Sequence, residues 1–196
     1  MSTGRLEAFS DGVLAIIITI MVLELHAPPS PDLAALGAVL PAFLGYVLSF
    51  VFIGIYWNNH HHMFQATEHA NGAILWANNH LLFWLSLVPF TTDWMGQNHF
   101  ATLPVATYGL VLLMCGVAYY ILARTIIHSQ GRNSRLRRLI GQDWKGKISP
   151  LLYLAAIGLA FVNPVIAEAL YVAVALLWLI PDRRIEAPLL HDREPG

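Results

Sequence analysis

The chain has 196 residues, of which 57% are hydrophobic and only 12% are charged, and its formal net charge is −1. Soluble domains usually carry charge on about a quarter of their residues, so this composition excludes an ordinary soluble protein and indicates a membrane protein. The balanced charge gives no electrostatic basis for binding nucleic acid, and the single cysteine excludes both an intrachain disulfide and a cysteine-based metal site.

Six apolar segments predict transmembrane helices. The first runs from about Arg5 to Leu25 and ends at a proline-rich stretch that cannot continue a helix. The fifth and sixth are short and meet at Asn163-Pro164, which we interpret as a tight turn. Polar residues 58–62 and 91–94 are expected in the connections that follow the second and third spans. The second to sixth spans cover, in order, about residues 33–57, 72–89, 102–127, 148–162 and 165–180.

The basic residues predict the orientation of these spans. Lysine and arginine in short loops stay on the cytoplasmic side, and all eleven can be placed on one side of the membrane. They lie at the start of the chain, in and just before a connection of about residues 128–147, and in a tail of about residues 182–196. Both termini are therefore predicted to be cytoplasmic, and residues 1–196 form one all-α domain with six transmembrane helices.

The first helix carries carboxylates that are poorly suited to contact with lipid. Asp11 and Glu24 are thirteen residue steps apart, which is about 20 Å along a helix. The hydrocarbon core of a bilayer is about 30 Å thick. At least one carboxylate therefore lies below the membrane surface, where a charge costs several kcal/mol unless it is paired or hydrated. We expect the first helix to face other helices or water.

Polar side chains at a similar depth in three predicted spans offer partners for the first helix. Hydrogen bonds among them would satisfy these groups away from water. Two interpretations stay open: a clasp that only holds the helices together, and a site for an ion or substrate. The residues are Arg5, Ser10 and Asp11 in the first span, Trp57 to His60 at the end of the second, and Asn78 to His80 near the start of the third.

The pattern Arg5-x-x-x-Phe9-Ser10-Asp11, followed at once by an apolar helix, resembles the signature of the transmembrane protein 175 family of potassium channels. The resemblance extends to Trp57-x-x-His60 at the end of the second span and to Asn78 in the third. It implies the prokaryotic type with one six-helix unit per chain, in a bacterial plasma membrane.

In that case four identical chains surround a central pore lined by the first helix. Potassium ions are the expected permeant species, other monovalent cations and protons are further candidates, and no cofactor is expected.

The same resemblance implies which residues narrow the pore. Ile16 forms the first constriction, Ile20 and Leu23 lie beyond it, and the Thr19 hydroxyl contributes to selectivity. These positions share a helix face, but neighbouring positions are equally apolar, so periodicity alone does not select the pore face. Glu24 at the outer mouth, with Asp32 and Asp93 as weaker candidates, would concentrate cations.

Other functions have weaker support in the sequence. The run His60-His61-His62 with His69 suggests a metal site, but consecutive helical residues point in different directions, so no metal site is predicted. No Gly-x-Ser-x-Gly motif occurs, and nothing supports an enzyme. The alternative function is a secondary or proton-coupled transporter that uses Asp11, His60 and Glu24, although the internal repeats that are typical of carriers are not visible.

Overall fold

The computed structural model describes residues 3–131, 136 and 144–179, and the regular structure of that part of the chain is entirely α-helical. This agrees with the predicted all-α class. The helices are α1 (Thr3–Leu23), α2 (Leu33–Gln65), α3 (Gly72–Ser86), α4 (Val88–Gln97), α5 (Thr102–Gln130), α6 (Trp144–Ala160) and α7 (Pro164–Leu179).

The lengths and composition of these helices fit a bilayer. α1, α2 and α5 are long and apolar enough to cross one, as is the segment Gly72–Gln97, which combines α3 and α4. α7 is apolar but has only 16 residues, which is about 24 Å of helix. The part of the chain that the structure describes has six helical segments when α3 and α4 are counted together, as the hydrophobic pattern predicts.

α2 is longer than predicted. The polar residues 58–62 were expected in a connection, but the helix continues without a break to Gln65. Three of its polar side chains, Asn59, His60 and His61, find partners on the helix itself or on its neighbours; the Asn59 amide, for example, donates to the Ile55 carbonyl oxygen at 2.8 Å. Because 33 residues span about 50 Å of helix, the last turns of α2 extend beyond a hydrocarbon core of about 30 Å.

The third span is divided in two near the predicted end at Pro89. Leu87 separates α3 from α4, and Pro89 occupies the first turn of α4, where its missing N–H costs no hydrogen bond. The prediction that residues 91–94 leave the helix is wrong. The Thr91 and Thr92 hydroxyls both donate to the Val88 carbonyl oxygen, at 3.2 and 2.7 Å, which satisfies a backbone group near the break.

α6 and α7 form a helical hairpin, so the predicted turn at Asn163-Pro164 is confirmed. The backbone N–H of Asn163 donates to the Leu159 carbonyl oxygen at 2.8 Å, and the Asn163 side chain accepts from the N–H of Val165 at 2.9 Å. At the other end of the hairpin, the Trp178 indole N–H donates to the Ser149 hydroxyl at 2.9 Å.

α5 contributes more buried residues than any other described helix and packs against α3, α4, α6 and α7. At Gly109 the approach of α7 is so close that a β-carbon would overlap the Tyr171 hydroxyl. That hydroxyl donates to the Val105 carbonyl oxygen at 3.2 Å. α1 packs on α2, α3 and α4 instead, and it therefore lies at the edge of the protomer with one face uncovered.

The predicted basic connection of residues 128–147 is shorter at both ends, because α5 continues to Gln130 and α6 begins at Trp144. Most of what remains, and the basic tail of residues 182–196, lie outside the described residues.

Candidate functional site

The helix α1 has two distinct faces. Its buried residues follow the spacing of one helix face and pack against the rest of the protomer: Leu6, Ser10, Leu14, Ile17 and Met21. The predicted pore residues lie on the other side, where Ile16, Ile20 and Leu23 are 59%, 41% and 73% exposed. The structure thus separates apolar residues that the sequence leaves equivalent. An uncovered apolar face on a helix with flanking carboxylates needs lipid, a second copy or a pore as its neighbour.

Thr19 lies on the uncovered face with its hydroxyl oriented by its own helix. The hydroxyl donates to the Ala15 carbonyl oxygen at 2.8 Å. Because a threonine hydroxyl has one hydrogen and two lone pairs, its donor is used within the helix while its oxygen can still accept or coordinate. An oxygen in this state suits a cation better than an anion.

Two of the predicted acidic residues meet at the far end of α1. Glu24 and Asp93 line the same small cavity together with Tyr46 and Thr92. The Asp93 carboxylate accepts from the Gln97 side chain at 2.8 and 2.9 Å. The third predicted acidic residue, Asp32, is exposed before α2 and accepts from the Ser30 hydroxyl at 3.0 Å.

At the other end of α1, a buried hydrogen-bonded chain joins three helices. The His60 imidazole Nε2 lies 2.8 Å from the Asn78 amide oxygen, and the Asn78 amide nitrogen donates to the Ser10 hydroxyl at 3.0 Å. The Ser10 hydroxyl donates in turn to the Leu6 carbonyl oxygen at 2.9 Å. Since an amide oxygen only accepts, Nε2 of His60 carries the hydrogen. All donors in this hydrogen-bonded chain therefore point the same way, from His60 on α2 through Asn78 on α3 to Ser10 on α1.

A second set of contacts joins α1 to α2 beside this chain. The Trp57 indole N–H donates to Oδ1 of Asp11 at 3.1 Å. One turn earlier on α1 and one turn later on α2, Glu7 Oε1 lies 2.6 Å from His61 Nδ1, and His61 Nε2 contacts Gln65 at 2.7 Å. Glu7 and His61 were not among the predicted site residues. Their signal is the spacing, because Glu7 precedes Asp11 by four and His61 follows Trp57 by four.

The structure does not place Arg5 and Phe9 in this polar cluster. Both are exposed on α1, and they line an open cleft of about 290 Å³ between α1 and α3, together with Leu6, Leu75 and Asn79. Within the described part of the chain, the Arg5 guanidinium has no hydrogen-bond or ion-pair partner. Of the seven residues that carry the family resemblance, the polar cluster therefore contains five: Ser10, Asp11, Trp57, His60 and Asn78.

The histidines near the end of α2 serve different neighbours. His60 is buried and its ring packs against that of Phe64 in a tilted arrangement with centroids 4.5 Å apart, whereas His61 contacts Glu7. Among the described residues, no group of three or more potential ligands of the His, Cys, Asp or Glu type is arranged to hold a metal ion.

Comparison with known proteins adds the following similarities. Residues 5–89 match the family model described as endosomal/lysosomal potassium channel TMEM175. A protein of Chryseobacterium sp. (strain P1-3) that is named a potassium channel is 57% identical over 96% of this chain and 98% of its own. A potassium channel of Streptomyces collinus is 31% identical over 95% of this chain and 98% of its own.

The fold is similar to the crystal structure of a lysosomal potassium-selective channel TMEM175 homolog from Chamaesiphon minutus. The TM-score is 0.80 at 27% identity, and the match covers 91% of this chain and 96% of that one.

Proposed function

The chain belongs to the family of the endosomal/lysosomal potassium channel TMEM175, and on that basis we propose that it conducts potassium ions passively across a bacterial plasma membrane. The observation that carries the proposal is the 57% identity, over nearly the whole of both chains, to a protein named a potassium channel. The match in fold to a potassium-selective homolog supports it. Residues 1–196 then form one channel domain, without enzymatic activity and without a cofactor.

The proposed pore lies between four copies of the chain, with the uncovered face of α1 toward the axis. Ile16, Ile20 and Leu23 then form successive apolar rings about one turn apart. Their exposure in the protomer supports this assignment, because a closed ring of α1 helices would bring these side chains together. A ring of isoleucines in a narrow pore closes it by excluding water, without a separate plug.

Thr19 is the polar group of this face that would meet a dehydrating ion. Its oxygen can coordinate a cation because its hydrogen is donated to the Ala15 carbonyl oxygen. An apolar ring cannot replace the hydration shell of an ion, so the hydroxyls would lower the cost of passage most for the weakly hydrated potassium ion. We expect a modest preference for potassium over sodium, with other monovalent cations or protons also able to pass.

The polar cluster would set the position of the pore helix. Ser10 and Asp11 hold α1 to α3 and α2 through Asn78 and Trp57, so α1 cannot rotate without breaking these hydrogen bonds. The internal pairing of these groups supports a structural clasp over an ion or substrate site, and over a carrier that moves protons through Asp11 and His60. At the opposite end, Glu24 would attract cations to the mouth of the pore.

Reconstitution in liposomes tests the proposed function. Purified protein in vesicles with a potassium gradient should dissipate the gradient without a coupled ion gradient, and replacing potassium by sodium should slow the flux. The matched control is the same preparation of the variant Ile16→Trp, in which a larger ring blocks the pore. A flux that needs an opposing proton gradient with fixed stoichiometry would indicate a carrier instead.

A further inference from the structure

We propose that the outer surface of the α5–α6 pair binds an anionic phospholipid, with the phosphate of the headgroup between Arg124 and Lys147. The lipid belongs to the leaflet at the end of the bundle where α5 ends and α6 begins, which the basic residues predict to be the cytoplasmic one. The site lies apart from the proposed pore.

Arg124 is an exposed cation that an aromatic ring holds in place. Its guanidinium carbon lies 5.9 Å from the centre of the Tyr120 ring, one turn earlier on α5, and Tyr120 is 61% exposed. A cation is attracted to an aromatic face at this distance. Among the described residues, no hydrogen bond or ion pair uses the Arg124 N–H donors. A guanidinium with free donors matches the geometry of phosphate oxygens.

Lys147 on α6 lies at the level of this ring. α5 and α6 are antiparallel neighbours, and an added β-carbon at Gly109 would lie 3.0 Å from the Ile157 side chain. Tyr120 is eleven residues after Gly109, and Lys147 is ten residues before Ile157. Both therefore lie about 15 to 17 Å from that contact, in the same direction along the helices.

Arg124 and Lys147 also face the same side of the α5–α6 pair. Arg124 follows Gly109 by fifteen positions, and Lys147 precedes Ile157 by ten. At about 100° per residue, these separations are rotations of about 60° and about 80° from the line that joins the two helices. Because the helices are antiparallel, rotations of the same sign turn both side chains toward one side. Both residues are exposed, which agrees with this arrangement.

This side of the protomer points away from the proposed pore. α1 packs on α2, α3 and α4, and α5 turns its buried face toward α3 and α4. The exposed side of α5 is therefore opposite to α1. Apolar side chains continue the surface toward the membrane centre, since Leu151 and Leu154 are 65% and 55% exposed and follow Lys147 on the same face of α6. An apolar surface below two cations is suited to a lipid, whose acyl chains lie below its headgroup.

The depth of the two cations fits a headgroup. Arg124 is 22 residues after Thr102, where α5 begins, which is about 33 Å of helix and just beyond a hydrocarbon core of about 30 Å. Lys147 is only 13 residues before Ala160, where α6 ends, or about 20 Å. A lysine at that depth extends toward the headgroups, and pairing with an anion lowers the cost of its charge.

The described carboxylates do not supply this anion. At this end of the bundle they are Glu7 and Asp11 on α1 and Glu68 in the connection between α2 and α3. None of them pairs with Arg124 or Lys147. Two cations on a lipid-facing surface without a carboxylate partner among the described residues favour an anionic lipid over a zwitterionic one.

Native mass spectrometry of the purified full-length protein in detergent tests the site, with phosphatidylglycerol and phosphatidylcholine as the two probes. We expect one tightly bound phosphatidylglycerol per chain and several-fold weaker binding of phosphatidylcholine. Arg124→Gln and Lys147→Gln should each lower the affinity for phosphatidylglycerol about five-fold, the size of the attraction of one cation to an anionic membrane surface. The double variant should bind both lipids equally. Equal binding of the two lipids by the wild type, or unchanged affinity in the double variant, would overturn the proposal.

Two controls separate recognition of the lipid from other effects. Arg124→Lys keeps the charge and should retain most of the affinity, whereas a loss as large as that in Arg124→Gln would contradict a charge-based site. Soluble glycerol 3-phosphate carries the same phosphate chemistry without acyl chains and should not displace phosphatidylglycerol. Displacement would identify a site for a free phosphate and overturn the lipid as occupant.

The lipid site and the proposed channel can fail separately. The exposed positions of Arg124 and Lys147 predict that the glutamine variants unfold at the wild-type temperature in lipid-free detergent. A lower unfolding temperature there would show that the two side chains support the fold, and a fall in lipid affinity would then not count for the site. Potassium flux of the wild type in vesicles tests the channel without reference to these residues.

Discussion

Ile16 and Ile17 are adjacent in α1 but lie on different faces of it: Ile17 is 2% exposed and packs inside the protomer, whereas Ile16 is 59% exposed. This pair allows the proposed pore face to be tested against ordinary packing with two substitutions of the same chemistry.

We expect Ile16→Asn to preserve the folded protomer and to alter conduction. The amide would hydrate the narrowest ring, so potassium flux should rise and the ratio of potassium to sodium flux should fall toward one. Ile17→Asn is the control, since it buries an unpaired amide at a cost of about 1–3 kcal/mol, and it should lower the yield and thermal stability of folded protein. Liposome flux and thermal unfolding measure the two effects. Unchanged flux and selectivity in Ile16→Asn would refute the pore assignment.

Thr19→Val tests the hydroxyl ring with little change in shape. Removing the oxygen should reduce the preference for potassium over sodium several-fold and leave the thermal stability nearly unchanged, because the Thr19 hydroxyl is exposed and bonds only to its own helix. Thr107→Val is a matched control. Its hydroxyl makes the same bond, to the Leu103 carbonyl oxygen at 2.9 Å, on α5. Equal loss of selectivity in both variants would argue against a coordinating role for Thr19.

The different exposures of the adjacent residues Ile16 and Ile17 show what can be predicted from the sequence alone and what cannot. Composition and the length of the apolar segments predict the helical membrane fold, because the bilayer imposes both. They do not select a face of α1, since Ile16, Ile17 and Ile18 are equally apolar and only packing against α2, α3 and α4 distinguishes them. Where all faces of a helix are apolar, the spacing of apolar residues does not show which face is buried.

The polar segment of α2 shows a second limit of prediction from the sequence, which concerns where a helix ends. A run such as Asn58 to His62 is typical of a connection outside the membrane, but the helix continues because partners exist on α1 and α3. His60 could be associated with Asn78 from the similar depth of the two residues in their predicted spans. The pairing of Glu7 with His61 needed the register between α1 and α2, which single-sequence reasoning does not supply. The same is true of the exposed cleft that holds Arg5.

Asn78→Ala tests whether the buried hydrogen-bonded chain holds the bundle together. The substitution leaves the His60 Nε2–H and the Ser10 oxygen without their partner, and unsatisfied buried groups cost about 1–3 kcal/mol each. We expect a clear fall in the thermal unfolding temperature and fewer assembled channels. Asn98→Ala provides the comparison, because the exposed Asn98 amide bonds only to the Trp94 carbonyl oxygen. Stability equal to that of the wild type in Asn78→Ala would rule out the clasp.

Glu24→Gln tests whether the carboxylate at the end of α1 attracts cations. The substitution keeps the size of the side chain and removes the charge, so the local concentration of potassium at that mouth should fall. Potassium flux should then decrease at low ionic strength and recover as salt rises, because the Debye length shrinks from about 30 Å at 0.01 M to about 3 Å at 1 M. Glu68→Gln is the control, since Glu68 is an exposed carboxylate in the connection between α2 and α3, at the opposite end of the bundle. A salt-independent change in flux, or an equal change in both variants, would show that Glu24 does not act through its field at the pore mouth.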